Sequence, residues 1–189
     1  VDTLIRDDLV ASSAQFTDAE FLSASAGTTK KPAGLLNGVV PITSTGATAE
    51  ALANDLRALR AQFLANNLSL GGAYYLMSEV KASEIADMRD AIGNTYFKGM
   101  DAGLNQKTLN GIPVIESENV GNVIILVKTS EILMADSGQV DIAYSDQATL
   151  IDGSVTHNLW QENKFAIRAE RFVTWGKRRP IAASFIQYT

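Results

Sequence analysis

The chain contains one histidine, His157, and no cysteine. Those two counts restrict the chemistry available. Without thiols there is no disulfide frame and no thiolate metal site. A Ser-His-Asp triad would have to use His157, and a zinc site built on histidine lacks its further imidazoles. Thr156 and Asn158 flank His157 without forming a motif, so it reads as an ordinary surface or loop residue. Carboxylates are more numerous. Asp7 and Asp8 are adjacent, and neighbouring side chains on a helix diverge too far to share a proton. Asp87 and Asp90 fall on one helical face, but Arg89 and the helical setting favour a solvated surface. The stretch from Asp141 to Asp152 holds three aspartates without the Asp-x-Asp-x-Asp-Gly spacing and closing Glu of a calcium loop. The Gly-x-Ser-x-Gly nucleophile elbow is absent. No catalytic, cofactor-binding or metal-binding residue is assigned.

Two further stretches are candidates for binding. The segment from Gly27 to Leu36 is rich in Gly, Thr and Lys, the ingredients of a phosphate-cradling loop. That loop needs Gly-Lys-Ser/Thr running into a helix. Here Pro32 follows Lys31, so the expectation is a surface loop with turns set by Pro32 and Gly34. The run Lys177-Arg178-Arg179 stands out in a chain of formal net charge −5 and pI near 4.9. It reads either as a solvated turn or as a contact with acidic neighbours or nucleic acid. The acidic total argues against nucleic-acid binding as the main task, because phosphate affinity comes from clustered Lys and Arg.

Periodicity predicts the elements that would position these residues. Ile5, Leu9 and Phe16 recur at spacings of four and seven, which predicts an N-terminal helix stopping near Ala26-Gly27. Pro41 to Thr48 is a small-residue connector. Leu52, Leu56, Leu59 and Phe63 make one helical stripe, with Thr48 as N-cap and Asn66-Asn67 as its end. Ala73 to Met77 predicts a buried strand. Ser78 then caps a helix through about Ala91, with Ile85, Met88 and Ile92 on one side. Phe97 to Gln106 reads as a loop. Leu109-Asn110-Gly111-Ile112 is a turn feeding a strand, where Pro113 implies an edge position or a missing ladder donor. Val123 to Val127 is continuously apolar, as in a strand buried on both faces, and Val140 to Tyr144 is another strand. Phe165, Ile167, Ala169, Val173 and Trp175 alternate along one long strand. A turn from Gly176 to Pro180 returns the chain as a strand from Ile181 to Tyr188, expected to form a hairpin with it or lie beside it.

The 189 residues, 46% hydrophobic and 20% charged, suffice for one large globular domain or two small ones. No apolar run reaches the roughly 18 residues of a membrane span, and the mixed start from Val1 to Arg6 is not a signal peptide. The result is an α+β protein with helices and strands alternating between residues 43 and 147. A leading helix and a C-terminal strand pair flank that region and are expected to pack together, since neither buries its apolar face alone.

Several ordered stretches carry a family resemblance. The loop from Gly27 to Leu36, ending Lys-Pro-Ala-Gly-Leu-Leu, follows the first helix. Tyr74-Tyr75-Leu76-Met77-Ser78 precedes a helix, and Gly93-Asn94-Thr95-Tyr96-Phe97 follows it. Leu109-Asn110-Gly111-Ile112-Pro113-Val114 comes next, and Asn163 to Arg171 leads into Arg179-Pro180-Ile181-Ala182. In this order, across nearly the whole chain, they resemble the major capsid proteins of tailed bacteriophages, the Hong Kong 97 type. The resemblance implies a two-lobed α+β capsid fold. Its peripheral domain would be discontinuous, residues 1–42 and 148–189, and its axial domain residues 43–147. It implies a structural subunit rather than an enzyme, with no cofactor, in a phage or prophage. Copies would associate into the pentamers and hexamers of an icosahedral shell, with Lys177, Arg178 and Arg179 as candidate subunit contacts. Portal, scaffold and decoration proteins are further implied partners. DNA would be enclosed without sequence-specific binding, and no membrane is involved. The implied location is the virion, after assembly in the bacterial cytoplasm.

The family usually carries an N-terminal arm and an extended loop before the first helix. Neither is in this sequence, which begins on Val1, so an N-terminally truncated chain is expected. Some members lock their shells with a Lys–Asn isopeptide bond assisted by a Glu. The resemblance puts Asn163 and Glu170 at the Asn and Glu positions, with the lysine on the extended loop. Seven residues apart on a regular strand, these two would face opposite sides unless a bulge intervened. Two alternatives stay open. One is an encapsulin-like nanocompartment shell of the same fold; the other is a small hydrolase or ligand-binding domain using Asp141 to Asp152.

Overall fold

The computed structural model describes residues 2–103 and 106–188. Leu104 and Asn105, within the loop expected from Phe97 to Gln106, lie outside the described residues. In chain order the elements are α1 (Asp2–Leu22), β1 (Ile42–Thr43), α2 (Ala49–Ala65), β2 (Ala73–Met77), α3 (Glu79–Asp87), β3 (Thr108–Leu109) and β4 (Ile112–Glu116). They continue with β5 (Val123–Lys128), β6 (Ile132–Asp136), β7 (Asp141–Ser145), β8 (Thr149–Asp152) and β9 (Val155–Asn158). The last three are β10 (Ala166–Glu170), β11 (Val173–Lys177) and β12 (Ala183–Gln187). Two compact units result. One is Val1–Phe16 with Ala135–Thr174; the other is Thr17–Met134 with Trp175–Thr189.

The larger unit is built on a six-stranded sheet in the order β1-β12-β5-β2-β4-β3. The apolar run of β5 is buried on both faces, as its composition predicts. Ile124 and Leu126 join one cluster, Ile125 and Val127 the other. Helix α2 covers the first face with Leu52, Leu56, Leu59 and Phe63, the stripe read from spacing. Its cap is the expected one, Thr48 Oγ1 accepting the Ala51 N–H at 3.2 Å. Ser78 Oγ likewise accepts the Lys81 N–H at 3.3 Å to start α3. The buried Asp55 carboxylate ties the small-residue connector to α2, accepting from the Thr45 N–H at 3.0 Å and the Thr45 hydroxyl at 2.9 Å. Leu35 and Leu36, from the loop after α1, pack on the second face with Val120, Ala183 and Phe185. Asn110 (φ 53°) and Gly111 (φ 79°) supply the left-handed pair that closes β3 on β4. Pro113 lies opposite Thr108, and the next ladder bond skips it, Val114 N–H to Lys107 C=O at 3.0 Å. Strand β4 is therefore interior, and the missing donor of Pro113 is accommodated between two ladder bonds.

Four expectations are corrected. Helix α1 ends at Leu22 rather than near Ala26, where the Ser23 hydroxyl donates back to the Glu20 carbonyl at 2.8 Å. Its half-buried line runs Ile5, Leu9, Ser13 and Thr17 at a spacing of four, which leaves Phe16 68% exposed. Helix α3 stops at Asp87, short of Ala91, and Ile92 is 87% exposed. The cause is Asp90, whose Oδ1 accepts the N–H groups of Ile92 at 2.9 Å and Asn94 at 2.8 Å and so competes with helix propagation. The long C-terminal strand is broken into β10 and β11 at Arg171-Phe172. There Arg171 Nε binds Asp136 Oδ1 at 3.2 Å, and the Ser137 N–H takes the Phe172 carbonyl at 2.9 Å. Finally, β12 makes no hairpin with that strand. It pairs antiparallel with β5 and parallel with β1, while β10 pairs with β7 and β11 with β6.

The smaller unit contains the β7–β10 ribbon and a β8–β9 hairpin turned at Gly153 (φ 61°). The Asp152-Gly153 dipeptide is the local signal for this hairpin. Among its described residues, Leu159 is the one fully buried large hydrophobic side chain.

Candidate functional site

His157 lies on β9 opposite Leu150. Its Nδ1 is 3.2 Å from Glu162 Oε2, and the same oxygen accepts from Lys164 Nζ at 2.6 Å. Hydrogen bonding from Lys164, then from His157, holds the Glu162 carboxyl below the usual glutamate range. A lowered carboxyl contributes stability above its unfolded value, and that contribution is lost as pH falls through the folded value. The trio is therefore expected to persist at pH 4.5, the ordinary glutamate value, and to open only below it. Carbon-detected NMR should show Glu162 titrating lower than in the Lys164→Ala variant; equal midpoints would contradict the geometry. Leu150, His157, Leu159, Asn163, Lys164, Phe165 and Ala166 line a groove of about 420 Å³. None of them carries a hydroxyl or thiol nucleophile.

The carboxylates considered for catalysis stay apart. Asp7 and Asp8 are both exposed on α1. Asp87 ends α3, whereas Asp90 sits in the following turn, its carboxyl lowered first by the Asn94 N–H and then by that of Ile92. Asp141 and Asp152 lie on different two-stranded ribbons, with Asp146 between them. Among the described residues, no group of three His, Cys, Asp or Glu could hold a metal ion. The loop from Gly27 to Leu36 turns its backbone inward rather than toward an anion. Gly34 N–H binds Ser25 C=O at 3.0 Å, Leu35 N–H binds Phe21 C=O at 2.7 Å, and Leu36 N–H binds Ser23 C=O at 3.1 Å.

The basic run is not uniform. Lys177 Nζ donates to the carbonyls of Leu35 at 3.0 Å and Asn37 at 2.6 Å, and burial pushes its pKa down. Trp175 Nε1 donates to Ala33 C=O at 2.9 Å, and its ring meets Phe21 edge-on at 5.4 Å. Together these two side chains clasp the loop against β11. Arg179 Nε reaches the buried Glu131 carboxylate at 3.5 Å. Arg178 uses its backbone N–H on Glu131 C=O at 2.8 Å, and its side chain is exposed. Lys177→Met would leave two partly buried carbonyls without a donor and is expected to lower unfolding stability by about 2 kcal/mol. Urea denaturation checks this, and an unchanged midpoint would show that the clasp contributes nothing.

Asn163 and Glu170 do not share a regular strand. Asn163 (φ 51°) precedes β10 in the turn that follows β9, with Lys164 N–H on Leu159 C=O at 2.9 Å and Asn163 N–H on Trp160 C=O at 3.4 Å. Glu170 ends β10 opposite Asp141 and pairs with Arg168 at 3.3 Å. The opposite-face geometry expected for the pair thus rests on a strand that starts only at Ala166.

Residues 1–185 match the family model described as the phage capsid family. The chain belongs to that family. It is 34% identical over 204 residues to a capsid polyprotein of Pseudomonas phage PAJU2, covering 98% of this chain and 30% of the polyprotein. A solved chain of Mycobacterium phage Cain superposes with TM-score 0.70 at 15% identity, over 100% of this chain and 65% of its own. One of Gordonia phage Cozz gives 0.71 at 17% identity, over 99% and 63%. A capsid of an empty GTA particle gives 0.67 at 16%, over 100% and 66%. This capsid-family chain thus spans less than a third of the polyprotein and about two thirds of the solved chains. The fold is the α+β capsid fold of the Hong Kong 97 type. Two features of the capsid chain were not read from sequence: the clasp of Trp175 and Lys177 on the loop, and the β8–β9 hairpin. The Asp-Gly dipeptide signals the hairpin; no local pattern signals contacts between residues so far apart in the chain.

Proposed function

We propose that this chain is the shell-building part of a tailed-phage major capsid subunit, a structural protein with no catalytic step. The alignment with a phage capsid polyprotein over 98% of the chain carries the reading. Copies assemble through head-to-tail contacts that close as pentamers and hexamers of an icosahedral shell. The shell encloses DNA without sequence-specific contacts, in keeping with an acidic chain. It forms in the bacterial cytoplasm, with portal, scaffold and decoration proteins as further partners, and ends in the virion. In this reading the family's peripheral region is Val1–Phe16 with Ala135–Thr174, and its axial region is the remainder. The pairing of β12 with β5 favours moving the limits away from residues 42 and 148.

Electron microscopy of the full-length parent, expressed alone and with its neighbouring reading frames, tests the reading. Uniform icosahedral particles are expected. A full-length protein that forms neither rings nor shells under any condition sinks it, and shells loaded with a protein cargo would favour a nanocompartment instead.

A further inference from the structure

Charge is divided unevenly between the two units. Val1–Phe16 with Ala135–Thr174 carries nine Asp and Glu against four Lys and Arg, a net −5; the other unit carries twelve of each and is neutral. In the acidic unit, Asp136 pairs with Arg171, Glu162 with Lys164 and Glu170 with Arg168. Asp146, in the turn before β8, and Asp152, the last residue of β8, are exposed and have no side-chain partner among the described residues.

The same unit is poor in buried apolar surface. All four residues of β8 are exposed, and Ile151 is 75% and Trp160 71% accessible. A two-stranded hairpin is at best marginally stable in water by itself, and exposed apolar patches mark interaction surfaces. In the neutral unit, the fold gathers positive charge. The Trp175 and Lys177 clasp holds the loop carrying Lys30 and Lys31 beside the strand leading to Arg178 and Arg179. Glu20 takes Lys31 at 2.7 Å, and Glu131 takes Arg179. Lys30 and Arg178 remain exposed, without side-chain partners among the described residues.

We propose that a second copy of this chain docks its Lys30 and Arg178 patch against Asp146, in the turn before β8, and Asp152, at the end of β8, of the first. The two patches are different surfaces, so a copy that engages one neighbour through its cations can offer its acidic patch to another. Opposite charge sets orientation and encounter rate, and covering of Ile151 and Trp160 supplies apolar burial. The inference rests on the shell reading only in requiring many copies to meet. The occupant is a second copy rather than nucleic acid because the patch offers just two uncommitted cations, whereas the acidic unit presents the matching surface on the same chain.

Sedimentation velocity across a concentration and salt series tests the contact. The 189-residue chain is expected to associate reversibly, and more weakly as salt rises. The double reversals Lys30→Glu/Arg178→Glu and Asp146→Lys/Asp152→Lys should each weaken association by about tenfold or more, with unchanged circular dichroism. An equimolar mixture should recover most of it, because the reversed turn of one variant then meets the reversed hairpin of the other. The proposal is overturned if the wild type stays monomeric throughout, if either reversal associates as the wild type does, or if the mixture fails to recover. It is also overturned if Lys30→Glu/Arg178→Glu loses only salt-dependent binding to duplex DNA. Introducing the same reversals into the full-length parent separates the two ideas. Particles unaffected by either reversal would sink the contact and leave the shell reading standing. Charge-complementary association in a parent that never forms particles would do the opposite.

Discussion

Replacing Phe63 with alanine is expected to lower the unfolding free energy by about 4 kcal/mol. The ring is fully buried at the end of the α2 stripe, in one cluster with Leu59, Tyr75 and Ile186. Its removal takes away the transfer energy of the ring and leaves a cavity that α2, held at its start by the Thr48 cap and by Asp55, is poorly placed to close. Against a typical total of about 5–15 kcal/mol, this threatens the folded state itself. Urea denaturation followed by circular dichroism would measure it. Leu64→Ala, at the next position but exposed, is the control and should stay within about 0.5 kcal/mol. A loss at Phe63 no larger than at Leu64 would contradict the packing of α2 on the sheet.

A second large effect is expected at Gly34. A Cβ there would overlap the Ser23 carbonyl oxygen and hydroxyl and come within 2.7 Å of the Ser23 carbonyl carbon. Backbone cannot give way as a flexible side chain can. Gly34→Ala should therefore push the loop off the end of α1, breaking Leu35 N–H to Phe21 C=O and loosening Leu35 and Leu36 from the second face of the sheet. We expect a loss of about 3 kcal/mol. Gly38→Ala separates crowding from backbone strain, since Gly38 has φ 72° with nothing near its Cβ position. It should cost only about 1–2 kcal/mol. Equal losses at both sites would mean that the turn's conformation matters, not the close approach of Ser23. Because the same loop carries Lys30, Gly34→Ala should also weaken the self-association argued above.

Much of the fold is legible in short stretches. The α2 stripe, the Thr48 and Ser78 caps, the Asn110-Gly111 turn and the doubly buried β5 all depend on residues within a few positions of each other. The shortage of reactive side chains is legible too, since one histidine and no cysteine leave few catalytic arrangements. The ordered motifs from Gly27 to Ala182 carried the family resemblance, which the match over residues 1–185 bears out.

What distance along the chain decides was not legible. The short, mostly apolar stretch from Ala183 to Ile186 suits any sheet with an open apolar edge, and a neighbouring strand is the cheapest partner in loop entropy. Yet β12 sits between β1 and β5, because Phe185 and Ile186 each complete a cluster on opposite faces of that sheet. Asp90 could belong to a helix or to a turn by pattern alone, and its two backbone bonds decide for the turn. The basic run shows the same division most clearly. Its composition determined that three cations lie together near the C-terminus. Only tertiary structure ties Lys177 to the loop carbonyls and Arg179 to Glu131, while Arg178 faces solvent. The reason is geometric: a cation's role depends on which carbonyls and carboxylates the fold brings to it, and these come from residues some 50 to 140 positions away.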